Sequence, residues 1–140
     1  MQTDCIFCRI ISGSEQARVI YEDARSIAFF PRTLYSKGHT LILPKEHYSD
    51  IFDMPGEIAS SLMKTSKKLS EKYRKILGCE GVNLMNASGA AAQQSVFHFH
   101  FHLMPRFIDD GINTWPGLDP WEGDIDGLEK LLRTNTLQAN

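Results

Sequence analysis

The stretch His98-Phe99-His100-Phe101-His102-Leu103 decides the reading of this 140-residue chain, because imidazoles hold alternate positions and large apolar side chains hold the others. A period of two belongs to a β-strand, whose successive side chains point to opposite faces. His98, His100 and His102 then share one face, about 7 Å apart along a rigid element. Phe97, Phe99, Phe101 and Leu103 share the other, which must be core. The histidine face carries three titratable, nucleophilic, metal-capable groups and is the first site candidate.

Outward from this strand, Ala87-Ser88-Gly89-Ala90-Ala91-Ala92-Gln93-Gln94-Ser95 is a loop of small residues that lets a ligand approach closely, and Val82 to Asn86 before it reads as a strand. Further upstream, Asp53 is expected to cap a helix with Pro55 in its first turn. Ile58, Leu62, Leu69, Tyr73 and Ile76 recur on one face of that helix, and Gly78 ends it. Its other face carries Lys64, Lys67, Lys68, Lys72, Arg74 and Lys75, read as a solvated face rather than a polyanion-binding surface. Val19-Glu22 and Ser26-Phe30 read as a hairpin, and His39-Leu43, after the Lys37-Gly38 turn, as a third strand stopped by Pro44. Cys5 to Ile11, closed by Ser12-Gly13-Ser14, reads as a short helix. After Arg106 an Asp- and Trp-bearing tail follows, with a short helix over Gly127 to Arg133 behind an Asp124 or Asp126 cap.

With 42% hydrophobic residues the chain can bury one ordinary core. A formal net charge of −2 gives no basic field, so nucleic acid is not an expected partner. No apolar stretch approaches the ~20 residues of a membrane span, and the start lacks a leader pattern, so no membrane association and a cytoplasmic location are expected. In such a compartment the odd cysteine count and the Cys5-Ile6-Phe7-Cys8 spacing suggest metal or redox chemistry rather than a disulfide framework. Cys79 is read as structural.

Neutral imidazole can attack phosphorus to give a covalent intermediate. A second imidazole, protonated, can stabilise the phosphate oxygens, and a hydroxyl can serve the leaving atom. His102 and Ser95 are placed to supply these. Three histidines on one face are equally able to bind a metal, and the bland alternative is a strand of buried, hydrogen-bonded histidines. A catalytic metal of the cupin sort is disfavoured, since no Glu follows His102 to complete a ligand set.

The residues Gln94-Ser95-Val96-Phe97-His98-Phe99-His100-Phe101-His102-Leu103-Met104-Pro105-Arg106 resemble the signature of the histidine triad (HIT) superfamily, in its bacterial-type group related to the nucleoside phosphoramidases. The resemblance extends to Gly38-His39 through His47 and to Asp4-Cys5 through Ile11, and so covers nearly all of the chain to Arg106. It implies an α+β fold, an antiparallel sheet of about five strands with one long helix and short helices, completed as a homodimer. Residues 1–106 would form the HIT domain with its CxxC segment, and 107–140 a tail packed on the same domain. It makes His100 the nucleophile at the α-phosphate of a purine nucleotide or nucleotide conjugate, with a nucleotidyl-histidine that water hydrolyses. His102 would bind phosphate oxygens, Ser95 the leaving group, and His39 would support the triad; Gln94, Asn86 and Ser88 are further substrate-binding candidates. It also implies a structural Zn(2+) held by Cys5, Cys8, His47 and His98, with the carbonyl of His98 fixing the tautomer of His100. Trp115 would lie near the active site.

Two positions depart from the family pattern. Pro31, eight residues before His39, stands where relatives place an Asp or Asn that contacts ribose, and proline offers neither a side-chain acceptor nor an amide donor. Ala87, eleven residues before His98, stands where relatives often place Asn or Gln. The expected result is an intact hydrolytic apparatus with an altered substrate preference. The alternative is a nucleotide- or partner-binding module with weak turnover.

Overall fold

The computed structural model describes residues 4–135; the outer ends of the two expected segments, 1–3 and 136–140, lie outside the described residues. Five antiparallel strands form one sheet: β1 (Arg18–Glu22), β2 (Ser26–Phe30), β3 (Thr40–Pro44), β4 (Gly81–Met85) and β5 (Phe101–Arg106), in the order β1-β2-β3-β5-β4. Three helices accompany them, α1 (Ile6–Ser12), α2 (Gly56–Leu77) and α3 (Ile125–Thr134), and a single 3-10 turn at Ala90–Ala92. The α+β architecture expected from the sequence is therefore present.

The register explains the division of the sheet into two faces. Directly paired residues of antiparallel strands point the same way, and Val19, Phe29, Leu41 and His102 form one row across β1, β2, β3 and β5. Ala28, Ile42 and Phe101 lie on the opposite face. There α2 lays down Ile58, Leu62, Leu69 and Tyr73 against Ala28, Ile42, Phe99 and Leu103. Complete burial of a residue such as Leu62 or Leu69 stabilises the fold by about 1.5–3 kcal/mol. On the other face α1 inserts Phe7 among Ile27, Phe29, Leu41 and Leu43. Covered on both sides, β3 is buried along its whole length.

Buried polar groups between sheet and helix are paired. Tyr73 Oη donates to Thr40 Oγ1 (2.7 Å), which donates to the carbonyl of Gly38 (2.8 Å), and the hydroxyls of Thr65 and Ser26 bond at 3.0 Å. Gly38 has φ of +91°, and a Cβ there would stand 2.9 Å from Leu77 Cδ1 and 3.1 Å from Pro105 Cγ. Glycine is required at this entry to β3.

Four sequence expectations change. The β5 strand begins at Phe101, not His98: the amide of Phe99 donates to the carbonyl of Tyr48 (2.6 Å) and the carbonyl of His98 accepts from a side chain, so these backbone groups serve partners outside the sheet ladder. Phe97 is half exposed rather than core. Pro55, not Asp53, holds the N-cap position of α2, without a side-chain capping hydrogen bond; the Asp53 carboxylate instead accepts from the amides of Ser49 (3.0 Å) and Asp50 (3.1 Å) in the preceding turn. Ile76, one turn past Tyr73 but rotated off its stripe, is exposed.

The lysine-rich face of α2 is solvated, with Lys67 paired to Glu71 and Lys68 over the ring of Tyr21. Beyond β5, Arg106 anchors the first part of the tail. Its guanidinium forms a two-point pair with Asp110 (2.8 and 2.9 Å) and donates to Asn83, Thr114 and the carbonyl of Ile112. From Trp115 to Asn135 the chain is exposed throughout, α3 included, behind the expected Asp124 cap. Cys79 is buried in the core on the α2 side. Among the described residues no helix is long and apolar enough to cross a membrane.

Candidate active site and metal centre

Hydrogen bonds divide the histidines between two sites by fixing their tautomers. His98 Nε2 lies 2.8 Å from the carbonyl of Pro44 and must donate to it, which leaves Nδ1 with a lone pair. That Nδ1 faces Cys5 Sγ and Cys8 Sγ, each at 3.6 Å, and Cys8 Sγ lies 3.3 Å from His47 Nδ1. All four ligand atoms lie within 4.8 Å of one another. A tetrahedral zinc with Zn–S of about 2.3 Å and Zn–N of about 2.0–2.1 Å has sulfur–nitrogen edges of about 3.6 Å. The donor set and its spacing fit zinc. Burial holds His98 down at about 4, below the ordinary histidine range, so its ring is neutral and able to act as a ligand at neutral pH.

His100 points the other way. Its Nδ1 donates to the carbonyl of His98 at 2.8 Å, so Nε2 carries the lone pair, and the carbonyl of His100 accepts from Asn86 Nδ2 at 2.9 Å. Phe7 stands edge-on to this ring with centroids 5.1 Å apart. The next imidazole, His102, lies 5.1 Å away between ring centroids. Its tautomer is set at a distance: the amide of Tyr35 donates to His39 Nδ1 (3.2 Å), so His39 Nε2 carries the proton and donates to His102 Nδ1 (2.9 Å). His102 Nε2 is then the N–H of the ring.

Burial lowers all three of these histidines, His102 to about 4, with neighbouring imidazoles adding to the effect there. The sequence reading expected a protonated imidazole beside the nucleophile. The structure instead offers a neutral His102 that acts through its N–H, because burial and the neighbouring His100 and His39 disfavour its charged form.

His39, His100, His102 and Ser95 line one cleft of about 760 Å³ on the α1 side of the sheet. Phe7, Ile10, Phe29, Phe30, Leu41 and Val96 supply apolar walls, and Arg9, Arg18 and Arg32 its cationic ones. Other expected contacts fall elsewhere. Gln94 Nε2 donates to the carbonyls of Ser49 (2.6 Å) and Val96 (3.1 Å), and its Oε1 accepts from the amide of Gly89 (2.7 Å). Ser88 Oγ accepts from the amide of Ile51 (3.0 Å) and donates to Asn86 Oδ1 (2.7 Å). Gln94, Asn86 and Ser88 thus brace the loop and the His100 backbone instead of lining the cleft. Trp115 is 88% exposed and does not line it either. Sequence reasoning missed the Tyr35 amide, which no residue type signals, and Phe7, whose apolar side chain between the two cysteines was the available clue.

Residues 12–109 match the HIT domain. The chain belongs to the histidine triad family. Among similar members, the adenylylsulfatase HINT3 of Arabidopsis thaliana is 35% identical over 106 residues, 76% of this chain and 54% of that protein. Among solved HIT structures, a zinc-bound histidine triad protein from Mycobacterium smegmatis superposes with a TM-score of 0.77 at 32% identity, over 94% of this chain and 91% of that one. A histidine triad nucleotide-binding protein from Candida albicans gives 0.79 at 31% identity, over 94% of each. These HIT relatives include a hydrolase, a zinc-bound protein and a nucleotide-binding protein.

Proposed function

We propose that the protein hydrolyses nucleoside phosphoramidates or related nucleotide conjugates through a covalent nucleotidyl-histidine at His100. The observation that carries this reading is the His100 ring, whose Nδ1 is committed to the His98 carbonyl while Nε2, the attacking nitrogen, belongs to a ring lining the cleft. In the first step the Nε2 lone pair forms a bond to the α-phosphorus and the bond to the leaving group breaks with its electron pair. Ser95 Oγ hydrogen-bonds the leaving atom, which takes its proton from solvent by way of that hydroxyl. His102 Nε2–H donates to a non-bridging phosphate oxygen as charge develops there. The His98 carbonyl holds the Nδ1 proton and so stabilises the positive charge His100 gains on becoming a phospho-imidazole. In the second step water attacks the same phosphorus, the P–N bond breaks, and a nucleoside monophosphate and neutral His100 are released. The apolar walls of the cleft suit a purine ring.

Cys5, Cys8, His47 and His98 would hold zinc, which supplies a cross-link and no reacting group. Its service to the site is indirect, since α1, which carries Cys8 at one end of the CxxC, also carries Phe7 against His100. A homodimer and a cytoplasmic setting complete the reading; cysteines that form no disulfide among the described residues suit a reducing compartment.

Hydrolysis of adenosine and guanosine 5′-phosphoramidates and of dinucleoside polyphosphates, compared between wild type and His100→Ala, tests it. Turnover that vanishes in the variant is the expected result. Equal inactivity of both proteins with nucleotide still bound replaces it with the binding-module reading.

A further inference from the structure

Resting on the reading just given, we infer that the substrate carries a second anionic group on its ribose, as in a nucleotide conjugate with a 2′- or 3′-phosphate. The cleft is cationic in an anionic chain: Arg9, Arg18 and Arg32 line it against a single acid, Glu15, whereas the whole protein has a formal net charge of −2. Among the described residues the guanidinium groups of Arg18 and Arg32 enter no ion pair or hydrogen bond. A guanidinium with its fork free is suited to take a phosphate at two points.

The position of these groups separates them from the reacting phosphate. His102 on β5, Leu41 on β3, Phe29 on β2 and Val19 on β1 form one row across the sheet. At about 4.8 Å per strand, β2 lies about 10 Å and β1 about 14 Å from the strand of His102. Arg32 follows the end of β2, and Arg18, paired with Phe30 beside that row, begins β1, so the two cleft-lining arginines sit on strands well removed from that of His102. The residue between Phe30 and Arg32 is Pro31, which lines the same wall and offers a ribose hydroxyl neither a side-chain acceptor nor an amide donor. The charged residue next to it that lines the cleft is Arg32. A free hydroxyl gains little from it, and a phosphate dianion gains a charge-assisted pair.

The test compares kcat/KM for adenylyl sulfate and 3′-phosphoadenylyl sulfate in wild type, Arg32→Gln, Arg18→Gln and the double variant. Wild type is expected to prefer the 3′-phosphorylated compound by about tenfold, equivalent to about 1.4 kcal/mol. Arg32→Gln should take most of the preference and the double variant the rest, and 0.5 M salt should weaken it because the arginines are solvent-exposed. Hydrolysis of both compounds with no preference overturns the inference while leaving the hydrolase reading intact. If neither compound is hydrolysed, the hydrolase reading still rests on the phosphoramidate and dinucleoside polyphosphate assays, and the inference is judged by calorimetric binding of adenosine 3′,5′-bisphosphate against adenosine 5′-monophosphate. Tighter, Arg32-dependent binding of the bisphosphate upholds it, and equal binding overturns it.

Discussion

His98 offers its carbonyl to His100 Nδ1 at 2.8 Å while its own Nδ1 faces the thiols of Cys5 and Cys8 at 3.6 Å. One residue is therefore shared between the Cys5, Cys8 and His47 cluster and His100, through its ring on one side and its backbone on the other. What loosens the cluster also loosens the groups that hold His100 in place.

Cys8→Ser should make this visible. Metal analysis is expected to fall from about one zinc per chain to near zero, and the thermal midpoint to drop by roughly 10 °C, since loss of a structural metal costs several kcal/mol in a domain of this size. Turnover of a phosphoramidate should fall with the metal, and a chelator should reproduce both effects on wild type. Retention of full zinc by Cys8→Ser would remove Cys8 from the ligand set.

Asn86→Ala separates bracing from substrate contact. Its amide donates to the His100 carbonyl at 2.9 Å and does not line the cleft. Loss of one such bond, about 1–1.5 kcal/mol, predicts a kcat about tenfold lower with KM within about twofold of wild type. A rise in KM at constant kcat would return Asn86 to the substrate-binding role that the sequence suggested.

His102 gives a pH dependence of stability with a defined sign. Its folded value is held at about 4 by burial and by His100 and His39, below the ordinary ~6.5 of the unfolded chain. Between those values the unfolded state binds more protons, so this contribution is fully present above pH ~6.5 and is lost as pH falls toward 4. Urea unfolding of wild type and His102→Gln from pH 7.5 to 4.5 should show the steeper decline in wild type. Parallel declines would mean that His102 titrates normally.

Gly38→Ala is expected to destabilise the fold by about 2–4 kcal/mol, from the left-handed backbone and from contacts of the new Cβ with Leu77 and Pro105. Denaturant midpoints measure it. The neighbouring His39 should shift as well, so activity per folded molecule should also fall.

The strands and the long helix were legible because they rest on period and spacing, whereas the division of the histidines into two sets came from the resemblance to the HIT signature. The alternation from His98 to Leu103 marks the stretch that faces both the thiol cluster and the cleft, yet its first three residues leave the sheet ladder for the Tyr48 carbonyl and for a side chain, which no alternation can reveal. Gln94, Asn86 and Ser88 were visible as polar residues near the triad. Only the structure shows their polar atoms turned to the backbone, because a side chain's partner depends on segments distant in sequence, here Ser49 and Ile51. The neutral state of His102 was likewise hidden, since burial is a property of the packed chain.

The proton that His102 presents to the cleft has its orientation decided by the amide of Tyr35, two hydrogen bonds away. A main-chain donor is indifferent to the side chain attached to it. Substitution at position 35 can remodel the wall of the cleft while the polarity of the relay stays as it is, provided the loop keeps its path; only proline, which lacks the N–H, deletes the donor outright. The direction of this hydrogen-bond relay is thereby insulated from drift at a residue whose side chain lines the cleft.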